Sequence, residues 1–191
     1  MSPASQIISV LDRLRAETRP HHDAVEANPF NQALRTGTVT AADTARFLAA
    51  MYGVVRPYEA CLRAQEARFG PEWELPRRYR AALILADLPR LGHPATPPDC
   101  PALPPLATRA QLLGAMYVLE GSTLGGQVIA RQLTKAGIRA PAYFTGRGDQ
   151  TGPLWKAFCQ QLEAAAATED SAEIEHSAII IFQTLATWLS R

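Results

Sequence analysis

The chain has 191 residues, 47% of them hydrophobic, and its 19 basic and 18 acidic residues leave a formal net charge of +1. This balance provides no overall field for nucleic acid or an anionic membrane as a partner, and no apolar run approaches the roughly 18 residues that a membrane-spanning helix needs. The three cysteines, Cys61, Cys100 and Cys159, are widely spaced without a CxxC pair, which argues against a disulfide framework or a structural zinc site. We therefore expect one domain over residues 1–191, without an export signal, in the cytoplasm.

The first predicted helix runs from about Ser5 to Glu26, because apolar residues recur there at helical spacing. Pro20 removes one helical hydrogen bond, so we expect a kink or a restart just before His21 and His22. Both histidines then lie on an amphipathic helix beside apolar residues.

Helical periodicity continues along the chain, and no segment shows convincing strand alternation, so the predicted fold class is all-α with roughly six to eight helices. Thr40 followed by Asp43 is a capping-box pattern, which predicts a second helix that runs to about Ala67 and bends at Pro57. The remaining predicted elements are a third helix from Pro76 to Pro89 and Gly92, a proline-rich surface connection over residues 93–105, a helical segment over residues 111–137, a helix from Pro153, and a last helix capped by Asp170 or Ser171.

The helical segment over residues 111–137 contains three glycines within six residues, Gly121, Gly125 and Gly126. Each glycine costs about 0.5–1 kcal/mol relative to alanine inside a helix, so the backbone there must approach something closely. One interpretation is helix–helix packing, because Gly121 and Gly125 lie one turn apart. The other is a kinked helix that lies across a flat ligand. The pattern alone favours neither.

Four histidines occur, and His93 and His176 stand in polar surroundings typical of solvated residues. An isolated histidine on an apolar face is most often hydrogen bonded to backbone, and this interpretation applies to His21 and His22 as well. His22, however, has Glu26 one turn later, where a carboxylate can orient an imidazole directly or through water. If one of the pair binds a metal, the spacing favours His22.

The sequence shows no cluster of Cys, His and carboxylate ligands for a mononuclear metal site, and no HExxH or paired ExxH motif. A single axial histidine suits haem instead, because the iron then arrives in its own macrocycle and the protein supplies one imidazole and a cavity. The glycine-rich helix would form the opposite wall of that cavity.

Two segments carry a resemblance to a known family. The pattern of Thr18, His22 and Glu26 resembles the proximal helix of haem oxygenases, in which a Thr precedes the haem-ligating His by four residues and a Glu often follows it by four. The segment from Gly121 to Val128 resembles the distal helix of the same family, and its sequence is most similar to that of the bacterial branch. Both motifs occur in the family's order and at about the expected separation, so the resemblance covers most of the chain.

The resemblance implies a single-domain helical fold with haem between a proximal and a glycine-kinked distal helix. It implies an enzyme that uses haem as both substrate and cofactor, with O2 and an external electron donor, and that releases biliverdin, CO and Fe(II). The implied partners are a reductase or ferredoxin and a bacteriophytochrome that accepts biliverdin. The meso carbon attacked, the identity of the reductant, the purpose of the reaction and the oligomeric state do not follow from the sequence.

The resemblance also implies the site residues. His22 is the iron ligand and Glu26 its orienting carboxylate, while Gly121, Gly125 and Gly126 face the haem. Ser122 follows Gly121 where the animal-type pattern has an Asp that anchors waters, so its uncharged hydroxyl holds a water less tightly. The basic candidates for the haem propionates are Arg15 and, more loosely, Lys156.

Two other functions remain open from the sequence. A haem-binding carrier or sensor on the same fold is favoured if Ser122 does not support proton delivery. An enzyme of the similarly folded thiaminase or quinone-cofactor-maturation type would need a catalytic Cys or several polar pocket residues, whereas Cys61 and Cys159 lie among apolar neighbours as packing residues do.

Overall fold

The computed structural model describes residues 9–93 and 96–191. The predicted helix start near Ser5, the first residues examined for an export signal and Pro94 of the proline-rich connection lie outside these ranges. The described residues contain no strand and form eight α-helices, so the all-α prediction is confirmed. They are α1 (Val10–Glu26), α2 (Pro29–Thr36), α3 (Ala41–Ala64), α4 (Ala81–Asp87), α5 (Arg109–Lys135), α6 (Ala142–Thr145), α7 (Thr151–Ala165) and α8 (Ser171–Leu189).

Two predicted helix caps are present. The Thr40 hydroxyl accepts the Asp43 N–H at 3.1 Å, and an Asp43 carboxylate oxygen accepts the Thr40 N–H at 2.8 Å, which completes the capping box. Asp170 caps α8 by accepting the N–H groups of Ala172 and Glu173. Helix ends were predicted less well, since α3 ends three residues earlier than expected and α7 begins two residues earlier.

The predicted start of the third helix at Pro76 is wrong. Pro76 lies in a single 3-10 turn over Leu75–Arg77, and α4 begins only at Ala81. The reason is a tertiary cap: a carboxylate oxygen of Glu59, on α3, accepts the N–H groups of Arg80 and Ala81. These donors have no partner inside α4, so the buried Glu59 determines where the helix can begin.

Helix α1 does not restart at Pro20, because every residue from Val10 to Glu26 is helical. Proline has no N–H, so the Ala16 carbonyl loses its partner within the helix. Two residues before Pro20, the Thr18 hydroxyl donates to the Leu14 carbonyl at 2.6 Å. The residues before and after Pro20 therefore belong to one helix, and His22 continues the register that begins at Val10.

Helices α1 and α5 both pack on α8, which buries the broad apolar face predicted for the last helix. Helices α5 and α8 pack closely at Gly114, where an added Cβ would lie 2.3 Å from the Ile174 carbonyl oxygen and 2.8 Å from the Ser177 Cβ. No side chain fits at this crossing. In the part of α5 that follows Gly114, α1 and α5 face each other across a space that residues of α8 also line.

The described residues of the proline-rich connection form no helix or strand and are mostly exposed, as predicted for a surface connection, and the connection also packs on α3. Cys100 is buried, and its N–H donates to the Gly53 carbonyl at 2.8 Å. A Cβ at Gly53 would lie 2.6 Å from the Pro98 carbonyl oxygen, so the connection sits directly against the α3 backbone. In the ranges that the structure covers, no helix is both long and apolar enough to cross a bilayer.

Candidate functional site

A cavity of about 580 Å³ lies between α1 and α5, within the range of about 300–1,000 Å³ that small-molecule sites occupy. Both facing helices supply a long stripe of lining residues, and α8 supplies the floor. Shorter contributions come from α2, α3, α6 and α7. The residues that the arguments below use are Arg15, Arg19, His22 and Glu26 from α1; Tyr117, Gly121, Ser122, Gly125 and Gly126 from α5; Arg80; Tyr143 and Phe144 from α6; Trp155 from α7; and Phe182 from α8.

The α1 wall presents one helical face, because Arg15, Arg19, His22 and Glu26 follow one another at spacings of three or four residues. The His22 side chain is 52% exposed and packs edge-to-face on Phe182, with ring centroids 5.8 Å apart. No described residue hydrogen bonds to either of its ring nitrogens. His22 therefore presents an imidazole to the cavity that is available for a ligand.

The neighbouring carboxylates complete a small cluster on this wall. Glu26 Oε1 lies 3.8 Å from His22 Nε2, and Asp23 Oδ1 lies 3.9 Å from His22 Nδ1. Potential ligand atoms of these three exposed residues lie within 4.8 Å of one another, so the expectation that the chain has no such cluster was wrong. A carboxylate near each nitrogen can accept the proton of whichever nitrogen does not bind a ligand.

The α5 wall is built around the predicted glycines, and the helix continues through all of them. A Cβ at Gly125 would meet nothing within 4 Å, and one at Gly121 would lie 3.5 Å from the Trp155 ring. A Cβ at Gly126 would lie 3.2 Å from the Phe144 carbonyl oxygen, so only this member of the three makes a tight backbone approach. Gly121 and Gly125 thus leave the helix backbone open to the cavity, which favours the ligand interpretation over helix packing at these positions.

Polar groups on the same wall gather around Ser122. Its hydroxyl donates to the Leu119 carbonyl at 2.7 Å, so its oxygen faces its surroundings as an acceptor. The Arg80 guanidinium donates to the same carbonyl at 2.7 Å and lies 3.5 Å from the Ser122 hydroxyl oxygen. Arg80 is buried, and its guanidinium stacks over the Tyr143 ring at 4.8 Å. A fixed positive charge therefore lines the cavity beside Ser122.

A family model described as haem oxygenase matches residues 9–191. The chain belongs to the haem oxygenase family. Among curated proteins, a haem oxygenase of Xanthomonas campestris pv. campestris is 36% identical over 108 residues, which are 53% of this chain and 62% of that relative. The chain thus aligns with less than two thirds of that haem oxygenase.

Solved haem oxygenase structures share the fold over nearly the whole chain. The enzyme from Leptospira interrogans is 20% identical, with a TM-score of 0.76 over 96% of this chain and 99% of that one. The NO- and CO-bound enzyme from Neisseria meningitidis is 22% identical, with a TM-score of 0.77 over 95% and 90%. The enzyme from the cyanobacterium Synechocystis, in complex with haem, is 14% identical, with a TM-score of 0.69 over 95% and 91%.

Most residues that the haem oxygenase patterns indicate line this one cavity, but two of the residues considered do not. His21 lies outside the lining set, as expected for a side chain about 100° around the helix from His22. Lys156 is exposed and lies outside it too, because Trp155, the preceding residue of α7, is the one directed at the cavity. Lys156 is therefore not part of the proposed site.

Sequence reasoning missed Arg80 and Tyr117. Tyr117 lies one turn before Gly121 and packs on Trp155, with ring centroids 5.8 Å apart. Burial raises the pKa of Tyr117, so its phenol stays protonated. The helical spacing from Tyr117 to Gly121 was a usable signal, whereas Arg80 lies in a segment with several arginines and no spacing that distinguishes it.

Proposed function

We propose that this chain, as a single domain, cleaves haem with O2 and externally supplied electrons to biliverdin, CO and Fe(II). The proposal depends mainly on one observation: His22 and the glycine wall, formed by Gly121, Gly125 and Gly126 of α5, line the same cavity. The single-domain assignment is supported by one continuous cluster of buried apolar residues to which all eight helices contribute.

His22 is the proposed iron ligand. Glu26 and Asp23 lie 3.8 and 3.9 Å from the two ring nitrogens, so in the proposed site one of them would accept a ring N–H through a bridging water. That contact would fix the tautomer and leave the other nitrogen for the iron. Bound haem then supplies the oxidising chemistry, and the chain has to position it and manage protons. Arg15 and Arg19, both with exposed guanidinium groups at the α1 wall, are the proposed partners of the haem carboxylates.

Proton delivery is the proposed role of the α5 wall. Ser122 holds a water through its acceptor oxygen, because its own hydrogen is committed to the Leu119 carbonyl. Arg80 adds charged donors beside it, so a water at this position would donate to the Ser122 oxygen and accept from the Arg80 guanidinium. Gly121 and Gly125 leave room for O2 on this face.

The partners belong to the proposal as well. Cys61, Cys100 and Cys159 are free and widely spaced in the sequence, unlike the clustered cysteines that hold an iron–sulfur centre. The proposed source of electrons is an external reductase or ferredoxin in the cytoplasm. A bacteriophytochrome is the proposed acceptor where the biliverdin serves as a chromophore.

Spectroscopy tests the proposal directly. Hemin added to the purified chain should give a Soret band, and a reductant in air should replace it with the broad red absorption of biliverdin, with CO released. A Soret band that persists unchanged under reductant and O2 would indicate a haem carrier or sensor instead. No Soret band would contradict haem binding altogether.

A further inference from the structure

We propose that Glu120 is a positioning residue that holds the glycine wall of α5 and the Arg80 guanidinium in register with each other. Glu120 immediately precedes Gly121, but its side chain points away from the cavity into a buried ion cluster. The proposal deepens the proposed haem chemistry and rests on it for its activity readouts, while one readout below needs no haem.

The cluster consists of Glu120, Arg78 and Arg147, whose side chains are 3%, 1% and 8% exposed. Arg78 Nη1 donates to Glu120 Oε2 at 2.7 Å. Arg147 donates to both carboxylate oxygens in a bidentate arrangement, from Nη1 to Oε2 at 2.7 Å and from Nη2 to Oε1 at 2.9 Å. A two-point contact between planar groups fixes direction as well as distance.

Each arginine belongs to a segment that contributes to the cavity wall. Arg78 lies two residues before Arg80, which donates to the carbonyl of Leu119, the residue next to Glu120. Arg147 lies in the connection between α6, which carries Phe144 against Gly126, and α7, which carries Trp155 against Gly121. The Glu120 carboxylate therefore joins α5 to two segments that pack beside its glycines: the one that contains Arg78 and Arg80, and the connection between α6 and α7.

The charge of Glu120 persists despite its burial. Burial alone would raise its pKa, but the hydrogen bond and charge of Arg147 and the charges of Arg78 and Arg80 hold the pKa of Glu120 below its ordinary value. Buried ion clusters add little stability beyond that of well-packed apolar residues. In the proposal, the role of this cluster is to hold its partners in one geometry. None of the three side chains lines the cavity, so the cluster acts on haem only through the residues that it positions.

The test compares two variants with a matched control. Glu120→Gln keeps the shape but removes the charge, and Arg147→Lys keeps the charge but removes the two-point grip. The control is Glu169→Gln, which breaks the half-buried Arg109–Glu169 pair, 2.9 Å long and outside the cavity lining. For each protein we would measure hydrogen exchange of the amides of residues 119–127 without haem, the CO dissociation rate of the ferrous haem complex, and kcat and KM for haem.

Glu120→Gln should speed amide exchange over residues 119–127 and CO dissociation by about tenfold or more, and lower kcat with little change in KM. Arg147→Lys should show the same changes to a smaller extent, and Glu169→Gln neither. Unchanged exchange over residues 119–127 in both variants would overturn the proposal, as would wild-type CO release and kcat per haem-loaded molecule. If the wild type binds no haem, the proposed function fails, and the exchange data still decide whether Glu120 positions the wall.

Discussion

Alanine substitutions at Gly114 and Gly125 should have opposite effects on stability. The two glycines lie eleven residues apart on α5, so they share one stripe of the helix, within about 20° of each other. Gly114 lies where α5 crosses α8, and a Cβ there would be 2.3 Å from the Ile174 carbonyl oxygen. Gly125 lies three turns later, where the same stripe faces the cavity and a Cβ would meet nothing within 4 Å.

The size of each effect follows from these distances. Gly125→Ala removes a helix penalty of about 0.5–1 kcal/mol without a clash, so the free energy of unfolding should rise by that amount. Gly114→Ala gains the same helix term but forces α5 and α8 apart at backbone and Ser177 atoms, which costs about 1–3 kcal/mol or more. The two variants should therefore differ by about 1–3 kcal/mol.

Urea unfolding of the haem-free proteins, followed by circular dichroism, measures this difference. A matching pair at the cavity tests function: Gly125→Ala should retain haem binding, whereas Gly125→Leu should weaken gas binding and turnover far more than it weakens the fold. Loss of stability in Gly125→Ala equal to that in Gly114→Ala would refute the reasoning. Full activity of Gly125→Leu per folded molecule would show that this wall does not serve haem access.

Three further predictions concern His22, Ser122 and Glu120. His22→Ala should lose the histidine-ligated haem spectrum and activity, with added imidazole restoring the spectrum, while His21→Ala should keep both; the reverse result would shift the proximal-helix alignment by one residue. Ser122→Ala should slow ring opening only modestly in single-turnover assays, because Arg80 remains and one neutral hydrogen bond is worth about 0.5–1.5 kcal/mol; a loss of several decades would contradict a water-holding role. The folded chain should lose stability as the pH falls below about 4.5, because the pKa of Glu120 is lowered from that value in the fold and the unfolded chain takes up the proton first; Glu120→Gln should flatten this acid dependence in urea titrations.

Local signals predicted the helix starts at Thr40 and Asp170. They also exist at two starts that were missed: Asn28 caps α2, a helix that was not predicted, and Thr108 forms a capping box with Gln111 at the start of α5. Thr40 and Asp43 cap each other, and Asp170 caps its own helix, so the sequence around each contains the whole interaction. The start of α4 depends instead on Glu59, which lies 22 residues before Ala81 and reaches it only in the folded chain. The sequence next to Pro76 does not contain that carboxylate. The helix start was predicted at Pro76 because proline is common at the first position of a helix.

The same distinction applies to the site. Spacing along α1 indicated that His21 and His22 cannot share a face, because helical periodicity determines which residues do. The choice of His22 and the ligand interpretation of the glycines depended on the resemblance to haem oxygenases, since the glycine pattern alone favoured neither interpretation. Spacing did not indicate that Gly114 on the same stripe packs against α8, since that depends on where another helix crosses. It also could not find Arg80, whose partners Leu119 and Ser122 lie 39 and 42 residues further along the chain.

Ser122 and Arg80 have to be considered together. A carboxylate at position 122 would lie within reach of a guanidinium that is already 3.5 Å from the Ser122 oxygen, and the two charges would pair with each other. Such a pair would occupy donors that Arg80 can otherwise direct at a water in the cavity. The serine hydroxyl, which donates its hydrogen to the Leu119 carbonyl, places no carboxylate beside the Arg80 guanidinium at this position. In the proposed site, a serine at position 122 in place of an aspartate therefore keeps the Arg80 guanidinium available as a donor to water. This charged donor is stronger than a serine hydroxyl.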